Sequence, residues 1–144
     1  MVRKKIFIEE SYGDYYYCYI GYNSLSSEKL FTISFSSDEK EDNLNFLFWD
    51  KAGLIVFDTG RKLYFIDDKL DIKHDFEITL PLIGLYLTEE NNLLVLEEAS
   101  FRVLNSSGQI LKRELLDLII DFSLENNYLH IVTIDGERVV FSLV

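Results

Sequence analysis

The chain has 144 residues, 48% of them hydrophobic and 15% aromatic, which is enough for one folded domain with a real core. Its 25 acidic side chains against 14 Lys and Arg give a net charge of −11. That balance excludes a generic nucleic-acid binder, because phosphate contacts need clustered cations. Cys18 is the single cysteine, so an internal disulfide is excluded and a reducing compartment is favoured.

The first residues, Met1–Ile8, carry three bases at positions 3 to 5, as the start of a secretion signal does. Glu9 and Glu10 interrupt the apolar stretch at once, so it lacks the apolar core of a signal peptide. No apolar run is long enough to cross a bilayer. The sequence therefore predicts a cytoplasmic protein that does not bind membranes.

One pattern recurs four times, starting near residues 7, 46, 85 and 120. Each copy predicts a short alternating strand, a polar turn and a second, more apolar strand. Gly or Asn at each turn supplies the positive φ that a tight hairpin needs. The turns are Tyr12-Gly13-Asp14, Ala52-Gly53, Asn91-Asn92 and Asn126-Asn127. The second strands lack a polar face and are predicted to be buried on both sides: Tyr15–Tyr17, Leu54–Phe57, Leu93–Leu96 and Tyr128–Ile131.

Further strands follow each hairpin. Third strands are predicted at Lys62–Ile66, Phe101–Leu104 and Arg138–Phe141, and a fourth at Leu70–Ile78, where polar and apolar residues alternate. The segment Gln109–Phe122 also fits helical spacing, but its equivalent in the second copy alternates as a strand, so we predict a strand.

Four strands in about 40 residues match one propeller blade in length and order, so the chain resembles a β-propeller protein. The resemblance implies an all-β fold of about four propeller-like blades of antiparallel strands, in a single repeat domain over residues 1–144. Trp49-Asp50 ends a first strand and is not placed like the WD dipeptide of WD40 blades. An open or partial propeller fits the length as well as a closed ring does, and it would leave uncovered apolar surface.

Six of the nine tyrosines lie between Tyr12 and Tyr22. Such a cluster is typical of a binding surface, since tyrosine offers large rigid area at low entropic cost, and also of an interior strand. Alternation places Tyr15, Tyr17 and Tyr19 on one face of this strand and Tyr16 and Cys18 on the other. The candidate partner-binding anchors are Tyr15, Tyr17, Tyr19 and Tyr22.

Two groups of acids stand out. The run from Asp38 to Asp42 could hold Ca²⁺ or mimic phosphate, but it lacks the Asp-x-Asp-x-Asp-Gly spacing of a calcium loop, so a solvated loop is favoured. The first 36 residues are balanced at four acids and four bases, so the negative charge lies in the later units. The candidate partner-binding acids are Asp38, Glu39, Glu41, Asp42, Asp67, Asp68 and Asp71.

No catalytic motif is present. The two histidines, His74 and His130, have only one cysteine to join them, too few ligands for a zinc site. There is no nucleophile elbow, no GxGxxG and no P-loop. The sequence predicts no enzymatic activity, no cofactor and no metal.

A small acidic chain without catalytic residues is similar in its general properties to bacterial immunity proteins of contact-dependent inhibition systems. It shares no sequence motif with them. The resemblance implies a non-enzymatic inhibitor whose acidic surface neutralises a basic toxin, such as a nuclease. The alternative is a propeller-like scaffold or assembly subunit that forms homodimers or larger homo-oligomers. A carbohydrate-binding propeller is disfavoured, because Trp49 has no equivalent tryptophan in the other copies.

Overall fold

The computed structural model describes residues 4–144 and is all-β, with fourteen strands, two short 3-10 turns and no α-helix in that range. Of the signal-like segment Met1–Ile8, the first three residues lie outside the described residues. The chain divides into two compact units. The first holds the residues up to Phe48 together with Gly53–Ile78, and the second holds Trp49–Ala52 and Thr79–Val144.

The first two sheets are formed by the first seven strands. The first sheet has the order β1-β3-β2 and the second sheet the order β4-β5-β6-β7. The strands are β1 (Lys4–Phe7), β2 (Tyr15–Tyr22), β3 (Lys29–Ser37), β4 (Phe46–Trp49), β5 (Leu54–Asp58), β6 (Lys62–Asp67) and β7 (Ile72–Glu77).

The other two sheets lie in the second unit. The third sheet has the order β8-β9-β10-β11, and the last sheet has the order β12-β13-β14. Their strands are β8 (Leu82–Leu87), β9 (Leu93–Glu97), β10 (Ser100–Leu104), β11 (Ile110–Leu115), β12 (Ile119–Glu125), β13 (Tyr128–Thr133) and β14 (Arg138–Ser142).

The three later copies of the repeat are confirmed as blade-like antiparallel sheets. Their hairpin turns place Gly53 at φ 65°, Asn91 at φ 59° and Asn126 at φ 54°, the positive values for which Gly and Asn are suited. The predicted third strands are present, and the segment with helical spacing forms β11 and the start of β12. The repeat was therefore a better guide there than local periodicity.

The hairpin predicted for the first copy of the repeat is wrong. β1 forms no hairpin with β2 but pairs in parallel with β3, Lys4 lying opposite Phe31. The chain then continues beside β3, where the Ile8 N–H donates to the Ser34 carbonyl at 2.9 Å. The Ser36 N–H donates to the Ser11 hydroxyl, also at 2.9 Å. Tyr12-Gly13-Asp14 is thus a connection and not a hairpin turn, and β3 is a strand that the pattern did not predict.

Each unit has its own hydrophobic core. In the first unit the rings of Phe35, Phe57 and Tyr64 stack in series, with centroids 5.6 and 5.5 Å apart. In the second unit Phe101 packs edge to face on Phe141 at 5.0 Å, within a cluster of buried leucines and isoleucines. Such aromatic pairs add about 0.5–1.5 kcal/mol beyond the area that they bury.

The strands differ in how many faces are covered. Every residue of β5 and of β9 is buried, as their lack of a polar face predicted. In β2 and β13, by contrast, exposed or half-exposed residues alternate with more buried ones. The prediction of two-sided burial for Tyr15–Tyr17 and Tyr128–Ile131 is therefore wrong. The physical reason is that the first and last sheets each pack only one face into a core.

Asn91 has a second role in its turn, because its Oδ1 accepts a hydrogen bond from Nε1 of the fully buried Trp49 at 3.1 Å. Asn91→Gly keeps the positive φ without strain but leaves the buried indole N–H unpaired. We expect the free energy of unfolding to fall by about 1–3 kcal/mol, measured by urea unfolding.

The matched control is Asn126→Gly, at a hairpin turn of similar φ where the asparagine side chain is exposed. We expect that change to stay within about 0.5 kcal/mol of wild type. Equal losses in the two variants would mean that the bond to Trp49 contributes nothing.

Candidate functional site

The acidic loop, residues 38–43, is tethered at its base. The buried Ser37 hydroxyl donates to the Thr59 carbonyl at 2.6 Å and accepts from the Glu39 N–H at 3.0 Å. The Tyr17 hydroxyl donates to the Glu39 carbonyl at 2.6 Å. The loop is thus held against the strand ends of the first two sheets.

Asp58, at the end of β5, fixes the exit of this loop. Its buried carboxylate accepts from the backbone N–H and the side-chain amide of Asn45, at 2.7 and 3.1 Å, and from the Gly60 N–H at 2.9 Å. Burial raises the pKa of Asp58, and the bonds from Asn45 and Gly60 oppose that shift. Asp58 is therefore a structural carboxylate.

The candidate acids of the loop divide into two kinds. Asp38 pairs with the Arg61 guanidinium at 3.2 Å and accepts from the Asp14 N–H at 3.3 Å. Glu39 accepts from the Asn43 amide at 3.3 Å. Glu41 and Asp42 are exposed in a 3-10 turn. Two of the four predicted contact acids thus make bonds within the chain, and two face solvent.

The second group of candidate acids closes the turn between β6 and β7. The Asp67 carboxylate accepts from the N–H groups of Asp71 and Lys69, each at 2.9 Å, and lies 3.6 Å from the Lys73 ammonium. The pKa of Asp67 lies below its usual range, chiefly because the carboxylate accepts a hydrogen bond from the Asp71 N–H. Partial desolvation opposes this shift, and the contacts with Lys69 and Lys73 add to it. Asp68 is exposed, as is the side chain of Asp71.

Because the pKa of Asp67 is lower in the folded chain than in the unfolded chain, its stabilising effect is present near neutral pH. The effect is lost as pH falls through the folded pKa. We expect Asp67→Asn to lower the free energy of unfolding at neutral pH, and the difference from wild type to shrink in acid. Urea unfolding at several pH values measures this.

Asp68→Asn is the control, since that neighbouring side chain is exposed. It should leave the free energy of unfolding at neutral pH within about 0.5 kcal/mol of wild type. A deficit of Asp67→Asn that stays constant or grows as pH falls would contradict the role given to this carboxylate.

The tyrosines of β2 alternate between faces, as predicted. Tyr17 and Tyr19 pack on Phe35, with ring centroids 5.5 and 5.6 Å apart, and Tyr19 also meets Phe46 at 4.6 Å. Burial, followed by the charge of Asp58, raises the pKa of Tyr19 to about 12. Tyr15 lies at the exposed end of the same row, 6.4 Å from the Tyr17 ring, and Tyr22 lies on the opposite face.

That opposite side of the first sheet is here called the first-sheet face. Its large apolar side chains are between 42% and 65% exposed. Its members are Lys5, Phe7, Tyr16, Cys18, Ile20 and Tyr22. A contiguous patch of exposed aromatic side chains is typical of a binding surface, whereas apolar residues scattered singly over a surface are not.

A groove of about 290 Å³ runs along this part of the sheet. Lys4, Lys5 and Lys29 line it, together with Tyr16 and Thr32. β1, β2 and β3 contain these three lysines and no carboxylate, in a chain whose net charge is −11. Sequence analysis missed the groove, although the balanced charge of the first 36 residues was a signal for it.

The last sheet has a comparable uncovered side, here called the last-sheet face. Tyr128 and Val140 are 51% and 56% exposed there. Register places the other members on the same side of β12, β13 and β14. They are Asp121, Ser123, Glu125, His130, Val132, Arg138 and Ser142.

A cleft of about 310 Å³ in the first unit contains an ion-pair network. Glu10 accepts a hydrogen bond from the Tyr64 hydroxyl and lies 3.3 Å from the Lys62 ammonium. Those two contacts lower the pKa of Glu10, whereas burial and the bond to Glu10 raise the pKa of Tyr64. The carboxylate is held ionised and the phenol protonated, so neither is poised as a general acid or base near neutral pH.

Among residues 4–144, one group of carboxylates is close enough to share a cation. Asp117, Asp135 and Glu137 are all exposed, with oxygens within 4.8 Å of one another. Asp135 also accepts from the Thr133 hydroxyl, and this bond lowers its pKa. The group contains neither His74 nor His130, and three exposed acids without a buried ligand do not define a metal site.

No protein-family model and no curated protein matches the sequence. Similar solved structures include BamB from Moraxella catarrhalis, at a TM-score of 0.59 and 18% identity over 85% of this chain and 37% of that one. KlHsv2 with loop 6CD replaced by a Gly-Ser linker matches at 0.56 and 14%, over 83% and 42%. The Neurospora crassa Pan2 WD40 domain matches at 0.52 and 14%, over 83% and 41%.

These neighbours are β-propeller proteins, so the comparison confirms the propeller-like fold that the repeat predicted. At such low identity it shows the fold alone. The chain spans less than half the length of each of these proteins. Within residues 4–144, no helix has the length and apolar character needed to cross a membrane.

Proposed function

We propose that this chain is a non-enzymatic protein-interaction module that binds its partner through the first-sheet face. The observation that supports the proposal is the one-sided burial of β2. Tyr17 and Tyr19 pack on Phe35, while Tyr16 and Ile20 point away from that core and remain exposed. A sheet surface rich in tyrosine and flanked by lysine has the composition of an interface centre with a polar rim.

The exposed area of the first-sheet face is large enough to contribute to the free energy of binding. Covering four half-exposed large side chains removes on the order of 400 Å² of mostly apolar surface from water, given about 200 Å² for each side chain. At roughly 25 cal/mol per Å² the gross gain is about 10 kcal/mol. Association costs offset much of it, so a partner that covered this face alone would bind with modest affinity.

The proposal is tested by introducing charge on the face. Tyr16→Glu with Ile20→Glu should leave the core intact, since both side chains point away from it, and should abolish partner binding. We expect a protein that co-purifies with the tagged wild type from its native cell to be lost with the variant.

Thr79→Glu with Leu80→Glu is the matched control, because both residues are exposed in the connection between β7 and β8 and belong to no strand. It should retain the partner, and thermal unfolding should show all three proteins folded. A partner retained equally by the face variant would overturn the proposal.

Inhibition of a basic toxin is the second candidate function. The observation that favours it is the exposure of Glu41, Asp42, Asp68 and Asp71 in two turns of the first unit, in a chain of net charge −11. In this hypothesis those carboxylates pair with Lys, Arg or His of a basic protein in the cytoplasm, with tyrosines of β2 as anchors. Asp38 and Glu39 would contribute less, because they already make bonds within the loop.

Charge reversal separates the two candidates. If the chain is an inhibitor, replacing Glu41, Asp42, Asp68 and Asp71 by Lys should release a basic protein from the co-purification, and salt should slow its association with wild type. The control reverses Glu89 and Glu90, which are equally exposed in a turn of the second unit. Retention of the same partner by the four-residue variant, with a salt-independent association rate, would exclude the electrostatic mechanism.

A further inference from the structure

We propose that the occupant of the first-sheet face is the last-sheet face of a second copy of this chain; this inference rests on the proposed function. Each face is the uncovered side of a sheet whose other side packs into a core. In propellers neighbouring sheets pack face to face. An uncovered propeller sheet is therefore shaped to receive another sheet of the same kind.

The two faces are complementary in charge. The first-sheet face and its groove present Lys5 and Lys29, and the strands that form them contain no carboxylate. The last-sheet face presents Asp121 and Glu125 on β12, with Arg138 on the far edge strand β14. Two first-sheet faces would bring lysines against lysines, so the charges favour head-to-tail contact between unlike faces.

The spacing of these charges also agrees. Lys29 lies opposite Tyr22, and Lys5 lies beside Thr32, which is opposite Ile20, so the two lysines are roughly 7 Å apart along the strands and about 5 Å apart across them. Asp121 and Glu125 are separated by roughly 13 Å along β12. The difference is within the reach of a lysine side chain, so both ion pairs can form at once.

The apolar centre of the contact is formed by side chains that the separate copies expose. On one side are Tyr16, Ile20 and Tyr22, and on the other Tyr128 and Val140. Aromatic and β-branched side chains pack well between sheets. These residues supply the affinity, and the rim charges select which faces meet, because exposed ion pairs contribute little energy by themselves.

The test uses two charge-reversed forms of the full chain. One carries Lys5→Glu and Lys29→Glu, and the other carries Asp121→Lys and Glu125→Lys. Sedimentation over a wide concentration range should show self-association of wild type and a dissociation constant at least about tenfold higher for each variant alone. An equimolar mixture should associate again, since every contact between the two variants joins opposite charges.

The control variant reverses Lys40 and Lys69, which are exposed in turns and lie outside the groove. It should associate like wild type. Self-association that neither variant weakens, or that mixing fails to restore, would overturn head-to-tail pairing while leaving the interaction module standing. If the wild type is monomeric at every concentration, the proposal that a second copy is the partner is overturned. The proposed function would then depend on the separate result with Tyr16→Glu and Ile20→Glu.

Discussion

A β-sheet has two faces, and each must be covered by another layer or be left to water. In this chain β5 and β9 are buried on both faces, whereas the first and last sheets have one packed side and one exposed side. The exposed side of the first sheet is not the charged, polar surface that usually limits the association of sheets, since Phe7, Tyr16 and Tyr22 are each more than half exposed there. The last-sheet face is more polar, but it too exposes large apolar side chains, Tyr128 and Val140. The proposed function follows from this unequal covering.

The acidic side chains have a different role from the one that the composition indicated. A chain with 25 acids suggested an acidic binding surface, yet several of those acids build the fold. Asp58 binds the exit of the acidic loop, and Asp67 closes a turn. Glu10 joins Lys62 and Tyr64. The unusual charge is instead the lysine-lined groove on the first sheet, a local departure from the sign of the whole chain.

Most of the fold could be predicted because its determinants are local. Asn91 and Asn126 have positive φ in hairpin turns, and the two strands that each turn connects are adjacent in sequence. The first copy could not be predicted in the same way. Its Gly13 resembles a hairpin glycine, but an added Cβ there would lie 2.0 Å from the Ser37 backbone, so the glycine is needed for close approach to β3. The parallel pairing of β1 with β3 joins distant residues and leaves no local pattern.

The candidate site was only partly predictable for a related reason. Alternation correctly separated Tyr17 from Tyr16, because strand geometry alone determines which side chains share a face. It could not tell which side has a core against it, so the predicted anchors include the covered Tyr17 and Tyr19 together with the exposed Tyr15 and Tyr22. Lys29 and Lys5 come together only when β1 and β3 pair, so no spacing in the sequence joins them.

Cys18 offers the most direct measurement of the central claim, since it is the sole cysteine and is exposed on the first-sheet face. Its rate of reaction with a thiol reagent reports whether that face is open. The account predicts labelling as fast as that of the unfolded chain in dilute protein, and progressive protection as concentration rises. Slow labelling at every dilution would show that the face is already covered, and a rate independent of concentration would show that no second copy covers it.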